Sequence, residues 1–177
     1  MNKAILDRAK KIKLIAMDLD GVLTKGEMIV LESGEEVKAW DIRDRLAFTL
    51  LKKSGLGIEL AWITGRASKQ VEMRAAELKI KYFYQGVPDK LVPYNEIMKT
   101  GSYEAAQVAF LGDDWLDIPI LKRAGLAICP KDAAAEAKKH AHYISKYNGG
   151  YGVLREAVEI ILKAQGAYTK VLGIYDK

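Results

Sequence analysis

The chain has 177 residues, of which 50% are hydrophobic, so it is long enough to bury the core of one domain. Its formal net charge of +5 would suit an anionic small molecule, a nucleic acid or a membrane surface. Basic and acidic residues alternate along the chain, however, which is typical of a solvated surface. No stretch approaches the roughly 20 apolar residues of a membrane span. We therefore expect a small-molecule ligand, with no nucleic-acid or membrane partner.

Residues 1–13 are charged and amphipathic, and they lack the apolar core and cleavage site of a secretory signal. We expect a short surface helix there. The single cysteine, Cys129, cannot form an internal disulfide and lies in an apolar run, which indicates a buried, unreactive thiol. These features favour a cytoplasmic protein.

Four short apolar runs, bounded by turn residues, have the length and composition of strands buried on both faces. Amphipathic helical patterns separate them, and a last helix is predicted from Val153 to Leu162, ending at Gly166. This alternation predicts parallel pairing through right-handed crossovers, and hence an α/β fold with a doubly wound, Rossmann-like sheet. The four runs are residues 14–17, 60–63, 108–111 and 126–129.

Residues 25–40 interrupt this alternation. Two β-prone stretches flank Glu32-Ser33-Gly34, which predicts a small β-hairpin inserted directly after the first strand. No repeat, low-complexity tract or linker divides the chain. We therefore expect a single domain over residues 1–177, which ends in a helix and tail at about residues 151–177.

Polar residues follow the apolar runs, at the edge of a parallel sheet where ligands bind. Asp18 and Asp20 follow the first run, Thr64 the second and Asp113 the third, while Lys90 lies at the entry to a helix. Carboxylates clustered at this edge would repel one another, and a hard cation such as Mg²⁺ resolves that repulsion. Lys90 and Thr64 could hold phosphoryl oxygens beside the metal.

The spacing of Asp18 and Asp20, directly before Gly21, lets a tight turn aim both carboxylates at one phosphate. One could attack phosphorus as the nucleophile, and the other could protonate the leaving oxygen and later activate water. Each feature alone is weak, because an Asp-x-Asp pair usually caps a turn. Their joint occurrence at the ends of strands and loops is far more specific.

At these positions the chain resembles the haloacid dehalogenase superfamily of phosphatases. The resemblance implies that Asp18 is the nucleophile and a magnesium ligand. It implies that Asp20 is the acid/base and binds the metal through its carbonyl, and that Asp113 is the third ligand. Asp114 and Asp117 would orient the metal site, and Thr64 and Lys90 would be catalytic residues that hold the transferred phosphoryl group. The matching motifs are Asp18-Leu19-Asp20-Gly21-Val22-Leu23-Thr24, Thr64, Lys90 and Gly112-Asp113-Asp114-Trp115-Leu116-Asp117.

A closer resemblance is to the 3-deoxy-D-manno-octulosonate 8-phosphate phosphatase family. It rests on residues 34–44 (GEEVKAWDIRD), on 84–86 (YQG), on Gly112-Asp113-Asp114 with Asp117 and Pro119, and on 149–152 (GGYG) followed by Arg155-Glu156. The resemblance implies hydrolysis of a sugar acid phosphate in lipopolysaccharide precursor synthesis. It also implies that the hairpin takes the place of a cap domain, and that a homotetramer forms in which hairpins pack together and a neighbour helps to close each site.

This resemblance also implies a set of substrate contacts, and the chain departs from the family pattern at three of them. Arg45 stands where glycine is usual, Thr49 where a basic residue is expected, and Asp41 where asparagine is common. Our hypothesis is that Arg45 supplies the charge missing at Thr49. The expected contacts are Asp20, Asp41, Ile42, Arg43, Asp44, Arg45, Thr49, Arg66, Arg74 and Lys90.

Three alternatives remain open at this point. The substrate could be another sugar acid phosphate, such as a nine-carbon 9-phosphate. The chain could be a phosphomutase or a phosphotransferase, although such enzymes usually shield the aspartyl phosphate beneath a large cap for which there is no room. It could also be a non-catalytic binding or assembly module. The glycines at 149, 150 and 152 indicate either a flexible turn or a tail that reaches a neighbouring site.

Overall fold

The structure is a computed structural model that describes residues 2–176. A parallel sheet in the order β5-β4-β1-β6-β7-β8 forms its centre. The predicted doubly wound α/β fold is therefore confirmed. In chain order the strands are β1 (Leu14–Met17), β2 (Ile29–Val30), β3 (Glu36–Val37), β4 (Glu59–Ile63), β5 (Tyr82–Tyr84), β6 (Val108–Leu111), β7 (Leu126–Cys129) and β8 (Tyr143–Ile144).

Helices cover both faces of the sheet. The first three and the last two pack on one face, and the middle three pack on the other. The helices are α1 (Lys3–Ala9), α2 (Ile42–Ser54), α3 (Lys69–Leu78), α4 (Leu91–Thr100), α5 (Ile118–Leu121), α6 (Ala135–Lys138), α7 (Val153–Ala164) and α8 (Tyr168–Leu172). No helix within residues 2–176 has the length and apolar character needed to cross a bilayer.

The central strand β1 supplies side chains to both halves of the core. Ile15 and Met17 point towards one face and Leu14 and Ala16 towards the other, and all four are fully buried. This is why the run is continuously apolar, since a strand covered on both faces has no solvent-facing side.

The hairpin predicted within residues 25–40 is present between β1 and α2. It consists of the antiparallel pair β2 and β3, with Ile29 opposite Val37. The apolar side chains of β2 and of Val37 are exposed to solvent. Trp40, at the base of the hairpin, stacks on the buried Trp62 with ring centroids 5.7 Å apart. The stack anchors the chain where it leaves the hairpin and enters α2.

Some elements were not anticipated from the sequence. Strand β8 has only two residues, too few for a periodic pattern to reveal it. Helix α1 lies at the surface as expected, but Ile5 and Ala9 on its inner side are buried. Cys129 is a buried free cysteine, and burial raises the pKa of its thiol to about 12, which agrees with the unreactive role expected from the sequence.

Candidate active site

The register of the sheet places three loops side by side. Met17 at the end of β1 pairs with Trp62 of β4 on one side and with Leu111 of β6 on the other. The residues that follow these strands therefore emerge at one level of the same edge. Asp18 is the first of them, and its backbone N–H still donates to the carbonyl of Leu111 over 2.9 Å.

Asp18 is buried against a lysine from another element. Lys90 precedes α4, and its ammonium lies 2.9 Å from Oδ2 of Asp18 and 2.7 Å from Oδ1 of Asp117. Lys90 is 4% exposed and Asp117 is fully buried. One lysine thus bridges two buried carboxylates, as the cost of burying such charges requires.

Asp113 completes the acidic cluster. Single carboxylate oxygens of Asp18, Asp113 and Asp117 lie within 4.8 Å of one another. The second oxygen of Asp117 accepts hydrogen bonds from the backbone N–H groups of Asp113 (2.9 Å) and Asp114 (3.3 Å), so that it fixes the loop that carries Asp113. Asp117 therefore holds both the lysine and the loop in place.

Two buried oxygens in this cluster have no hydrogen-bond partner among residues 2–176: Oδ1 of Asp18 and Oδ1 of Asp113. Buried carboxylate oxygens without donors are costly, and a hard cation with oxygen ligands would satisfy both. The donor set therefore fits a divalent cation such as Mg²⁺. Gly21 allows the close approach, because a Cβ there would lie 2.1 Å from Oδ2 of Asp113 and its φ is +93°.

The electrostatics lead to the same conclusion. Burial raises the pKa of Asp18 to about 6, although Lys90 partly offsets the effect. Burial, together with the neighbouring Asp18 and Asp117, raises the pKa of Asp113 to about 8. One lysine is thus too little positive charge for three clustered carboxylates, and a bound cation would stabilise their ionised forms.

The side chain of Asp20 lies outside the cluster of Asp18, Asp113 and Asp117. The ammonium of Lys38, which follows β3 of the hairpin, contacts Oδ1 of Asp20. The hydroxyl of Thr24 lies 3.3 Å from the same oxygen. The expected metal contact of Asp20 is through its carbonyl, and the acid/base role of its carboxylate stays a prediction.

The loop after β4 joins the site to the hairpin. Thr64 is buried, and its hydroxyl accepts a hydrogen bond of 3.4 Å from the N–H of Arg66. The Arg66 guanidinium contacts the carboxylate of Glu36 in β3. Asp20, Lys38 and Arg66 line a cavity of about 80 Å³ between this loop, the loop after β1 and the hairpin. A pocket whose lining carries both signs of charge thus opens beside Asp20.

The glycine-rich segment, residues 149–152, packs against the loop after β1 of its own chain. The N–H of Gly150 donates to the carbonyl of Val22 over 2.9 Å. A Cβ at Gly149 would lie only 1.9 Å from the carbonyl oxygen of Gly21. Close backbone approach, which neither interpretation from the sequence considered, therefore explains why glycine is needed at 149.

Asp44 is buried beneath the start of α7. Its Oδ2 accepts a hydrogen bond from the N–H of Gly152 (3.1 Å), and its Oδ1 accepts one from the N–H of Arg155 (2.9 Å). Gly152 has no side chain to cap α7, and Asp44 of α2 takes over that function. A direct substrate contact for Asp44 stays a prediction, and its observed contacts are with the backbone of α7.

This buried cap predicts a pH-dependent stability. Burial raises the pKa of Asp44 from 3.8 to about 6, so its contribution to stability is full below pH 4 and is lost as the pH rises to about 6. Between pH 4 and 7, the free energy of unfolding of the wild type should fall relative to Asp44→Asn by about 2–3 kcal/mol. Urea unfolding of both proteins at several pH values measures this difference.

Asp41→Asn is the matched control for this experiment. Hydrogen bonds from Arg43 lower the pKa of Asp41, so its stabilisation is lost only as the pH falls below about 4, in the opposite sense. A difference between wild type and Asp44→Asn that stays constant from pH 4 to 7 would contradict the role of burial at Asp44.

The other expected substrate contacts fall into two groups. Asp41 caps α2 and forms a bidentate ion pair with Arg43, and Ile42 beside them is exposed. These three residues begin α2 next to the glycine-rich segment. A Cβ added at Gly152 would lie 3.8 Å from the Arg43 side chain. Ile42 and Arg43 are exposed, whereas the Asp41 side chain is only 13% exposed, and the role of all three in substrate binding stays a prediction.

Arg45, Thr49 and Arg74 form the second group. Arg45 and Arg74 both pair with Glu77 of α3, at 3.6 Å and 2.5 Å. Arg45 and Thr49 also line a groove of about 1040 Å³ that extends between α2 and α3 to Leu60, at the start of β4. Thr49 thus lies on the groove that leads away from the carboxyl edge of the sheet. Whether these residues contact substrate stays a prediction.

Comparisons with known proteins agree with this arrangement. A family profile described as haloacid dehalogenase-like hydrolase matches residues 83–156. The 3-deoxy-D-manno-octulosonate 8-phosphate phosphatase of Yersinia pestis is 38% identical over 170 residues, which covers 96% of this chain and 90% of the relative. The enzyme of the same name from Escherichia coli K12 is 35% identical over 169 residues, covering 96% and 89%.

The chain belongs to the 3-deoxy-D-manno-octulosonate 8-phosphate phosphatase family. A crystal structure of a family member from Moraxella catarrhalis, in complex with magnesium ion, phosphate ion and KDO, has a TM-score of 0.94 to this chain and 38% identity. It covers 99% of each chain. The resemblance seen in the sequence motifs is therefore confirmed over nearly the whole length.

Within this family frame, the structure adds residues that the motifs did not identify. Lys38 was not among the expected site residues, although it lies within residues 34–44, which carried the family resemblance. The sequence did offer one signal for it. Side chains alternate between the two sides of an extended segment, so Lys38 is predicted to lie on the same side as Glu36. Asp114 was expected to orient the metal, and it caps the turn at Trp115 through a 2.7 Å hydrogen bond, so that role stays a prediction.

Proposed function

We propose that this protein is a magnesium-dependent phosphomonoesterase that hydrolyses 3-deoxy-D-manno-octulosonate 8-phosphate through an aspartyl phosphate at Asp18. The observation that carries the proposal is the buried cluster in which Lys90 holds one oxygen of Asp18. The other oxygen of Asp18, and one oxygen of Asp113, have no hydrogen-bond partner within residues 2–176. Membership of the phosphatase family supports the same reaction. The reaction would serve lipopolysaccharide precursor synthesis, as the family resemblance implies.

In this proposal Asp18, Asp113 and the carbonyl of Asp20 hold Mg²⁺, and Asp117 and Asp114 orient them. The cation supplies positive charge that draws the phosphate dianion to the carboxylates and stabilises the charge that develops during transfer. Lys90 binds a phosphoryl oxygen while it keeps Asp18 in a fixed orientation. Thr64 and nearby backbone N–H groups bind a further oxygen.

The reaction then has two steps at phosphorus. A carboxylate oxygen of Asp18 attacks phosphorus, the bond to the sugar oxygen breaks, and Asp20 gives its proton to that leaving oxygen. In the second step Asp20 removes a proton from water, the water oxygen attacks phosphorus, and the bond to Asp18 breaks. Inorganic phosphate and free Asp18 are the products.

The sugar would lie over the accessible residues that surround Asp20. Arg43, Arg66 and Arg74 can pair with the carboxylate of a sugar acid, bidentately where the geometry allows. The start of α2 from Asp41 to Arg45, together with Thr49, would complete the contacts. We also propose that Arg45 supplies the positive charge that a basic residue would have provided at position 49, where this chain has Thr49.

We also propose that the chain acts as one domain in the cytoplasm and as a homotetramer. The exposed apolar side chains of the hairpin support such an assembly, because a contiguous apolar surface favours association. They are Met28, Ile29, Val30, Leu31 and Val37. The mass in solution, measured by light scattering, distinguishes a tetramer from a monomer.

The substrate proposal makes a direct prediction about phosphate release. Purified protein with Mg²⁺ should hydrolyse 3-deoxy-D-manno-octulosonate 8-phosphate with a kcat/KM at least about tenfold above that for a nine-carbon sugar acid 9-phosphate, since one lost polar contact costs about 1–3 kcal/mol. Chelation with EDTA should remove the activity, and added Mg²⁺ should restore it.

Each contrary result has a separate meaning. A higher kcat/KM on the nine-carbon substrate would overturn the substrate but not the chemistry. Phosphate release that is unaffected by EDTA would overturn the role of the metal. A protein that binds sugar phosphates without releasing phosphate would be the binding module considered above.

A further inference from the structure

Lys38 is a buried charge at the base of an exposed hairpin. Its side chain is 7% exposed, whereas Ile29 and Val30 on the paired strand are about half exposed. A buried ammonium needs a partner, and its partner is Oδ1 of Asp20. Lys38 is thus directed at the loop after β1.

The backbone that carries Lys38 is fixed from the opposite side. Gln70 of α3 donates a hydrogen bond of 2.8 Å from Nε2 to the carbonyl of Glu36, and the Glu36 carboxylate contacts Arg66. Glu36 and Lys38 are two residues apart, and both side chains line the pocket beside Asp20. The chain is therefore tied to the loop after β4 through Glu36 of β3, and to the loop after β1 through Lys38, which directly follows β3.

Asp20 depends on Lys38 for its orientation. The hydroxyl of Thr24 is 3.3 Å from Oδ1 of Asp20 but also 3.4 Å from the carbonyl of Leu19, and its single proton can serve only one of them. Oδ2 of Asp20 makes no hydrogen bond within residues 2–176. Lys38 thus holds one carboxylate oxygen and leaves the other free.

We propose that Lys38 is a positioning residue, which orients Asp20 so that its free oxygen meets the leaving oxygen of the substrate. The inference rests on the proposed function, because it takes Asp20 as the proton donor. In the first step the phosphorus–oxygen bond to the sugar breaks as Asp18 bonds to phosphorus, and the proton of Asp20 goes to the sugar oxygen. The hairpin therefore contributes to catalysis from within the same chain.

A comparison of two leaving groups tests this role. A sugar alkoxide needs a proton in order to leave, whereas p-nitrophenolate leaves without one. In Lys38→Met, kcat/KM for 3-deoxy-D-manno-octulosonate 8-phosphate should fall about 30- to 100-fold, and that for p-nitrophenyl phosphate by less than about threefold, since general acid catalysis contributes roughly 10²–10⁴-fold. The ratio kcat/KM reports the steps up to phosphorylation of Asp18, so the later hydrolysis does not obscure the comparison.

Three further variants make the result specific. Lys38→Arg keeps the positive charge and should recover at least about a tenth of the wild-type kcat/KM on the sugar phosphate. Lys10→Met makes the same chemical change at an exposed residue after α1 and should match the wild type on both substrates. Lys38→Gln is a second neutral variant, and both neutral variants should melt within about 5 °C of the wild type, because the Asp20 side chain that loses its partner is 25% exposed and can be solvated.

Equal losses of kcat/KM on the two substrates, or no loss on either, would overturn the proposal. Unfolding of both neutral variants would also overturn it, by showing that Lys38 serves the fold. These outcomes are distinct from failure of the proposed function, in which the wild-type protein itself would release no phosphate from the sugar substrate.

Discussion

Asp18→Asn should abolish phosphate release, with kcat at least roughly 10⁴-fold below the wild type, equivalent to about 5.5 kcal/mol in the activation barrier. The amide has nearly the same shape as the carboxylate, but its oxygen is a poor nucleophile towards phosphorus. It also removes the negative charge that pairs with Lys90 at 2.9 Å. Phosphate release from the sugar phosphate under saturating Mg²⁺ measures the loss.

The variant must be shown to fold, and its melting temperature provides this control. Burial raises the pKa of Asp18 to about 6, so an amide in EDTA should cost the native state little stability. Addition of Mg²⁺ should raise the melting temperature of the wild type but hardly that of the variant. Asp7→Asn, an exposed change of the same kind on α1, should behave as the wild type in both assays. Turnover by folded Asp18→Asn at a tenth of the wild-type rate or more would rule out Asp18 as the nucleophile.

Asp113→Asn should change stability and activity in opposite directions. Burial and two neighbouring carboxylates raise the pKa of Asp113 to about 8. At pH 7 this group therefore lowers the free energy of unfolding of the metal-free protein. The neutral amide removes that cost, and the variant in EDTA should be about 1–3 kcal/mol more stable than the wild type. Thermal melting in EDTA at pH 7 measures the gain.

Activity should fall in the same variant, because a ligand of the cation is weakened. At about 1 mM Mg²⁺ we expect kcat/KM to drop at least a hundredfold, and higher Mg²⁺ should restore part of it. The stabilisation that Mg²⁺ gives to the wild type should shrink. A variant that is less stable than the wild type in EDTA, yet retains its Mg²⁺ dependence, would contradict the placement of the cation between Asp18 and Asp113.

The sheet, and the edge of it that carries the candidate site, could be predicted from the sequence because both depend on local, continuous features. The run Leu14–Met17 is apolar at every position, as expected for a strand that is covered on both faces. The structure has that strand with the same bounds. Once β1, β4 and β6 are parallel neighbours, the positions of Asp18, Thr64 and Asp113 follow from the register.

Contacts between elements distant in sequence were not accessible in this way. The cap that Asp44 gives to α7 joins residues more than 100 positions apart, and no local pattern encodes it. The packing of Gly149 on Gly21 is of the same kind, since a glycine-rich run alone does not reveal which backbone it approaches. Lys38 was missed because hairpin charges are usually solvated, and only the packed fold shows that this one is buried.

The departures from the family pattern lie where sequence reasoning was least decisive. Arg45 was expected to supply charge to the substrate, and in the structure it pairs with Glu77 on the exposed side of α3. A surface pair of this kind contributes little to stability, so Arg45 can leave Glu77 at little cost when an anionic ligand approaches. Its role as a substrate contact is therefore compatible with the fold and remains a prediction.

The most direct test of the covalent step is chemical trapping of the intermediate. Asp20→Asn should slow the hydrolysis of the aspartyl phosphate, and p-nitrophenyl phosphate should still form this intermediate because its leaving group needs no proton. Acid quenching followed by borohydride converts an aspartyl phosphate to homoserine, which peptide mass spectrometry locates. With Mg²⁺ and p-nitrophenyl phosphate, we expect homoserine at position 18 and at no other aspartate. Unmodified Asp18 during turnover, or homoserine at another aspartate, would contradict the assignment of the nucleophile.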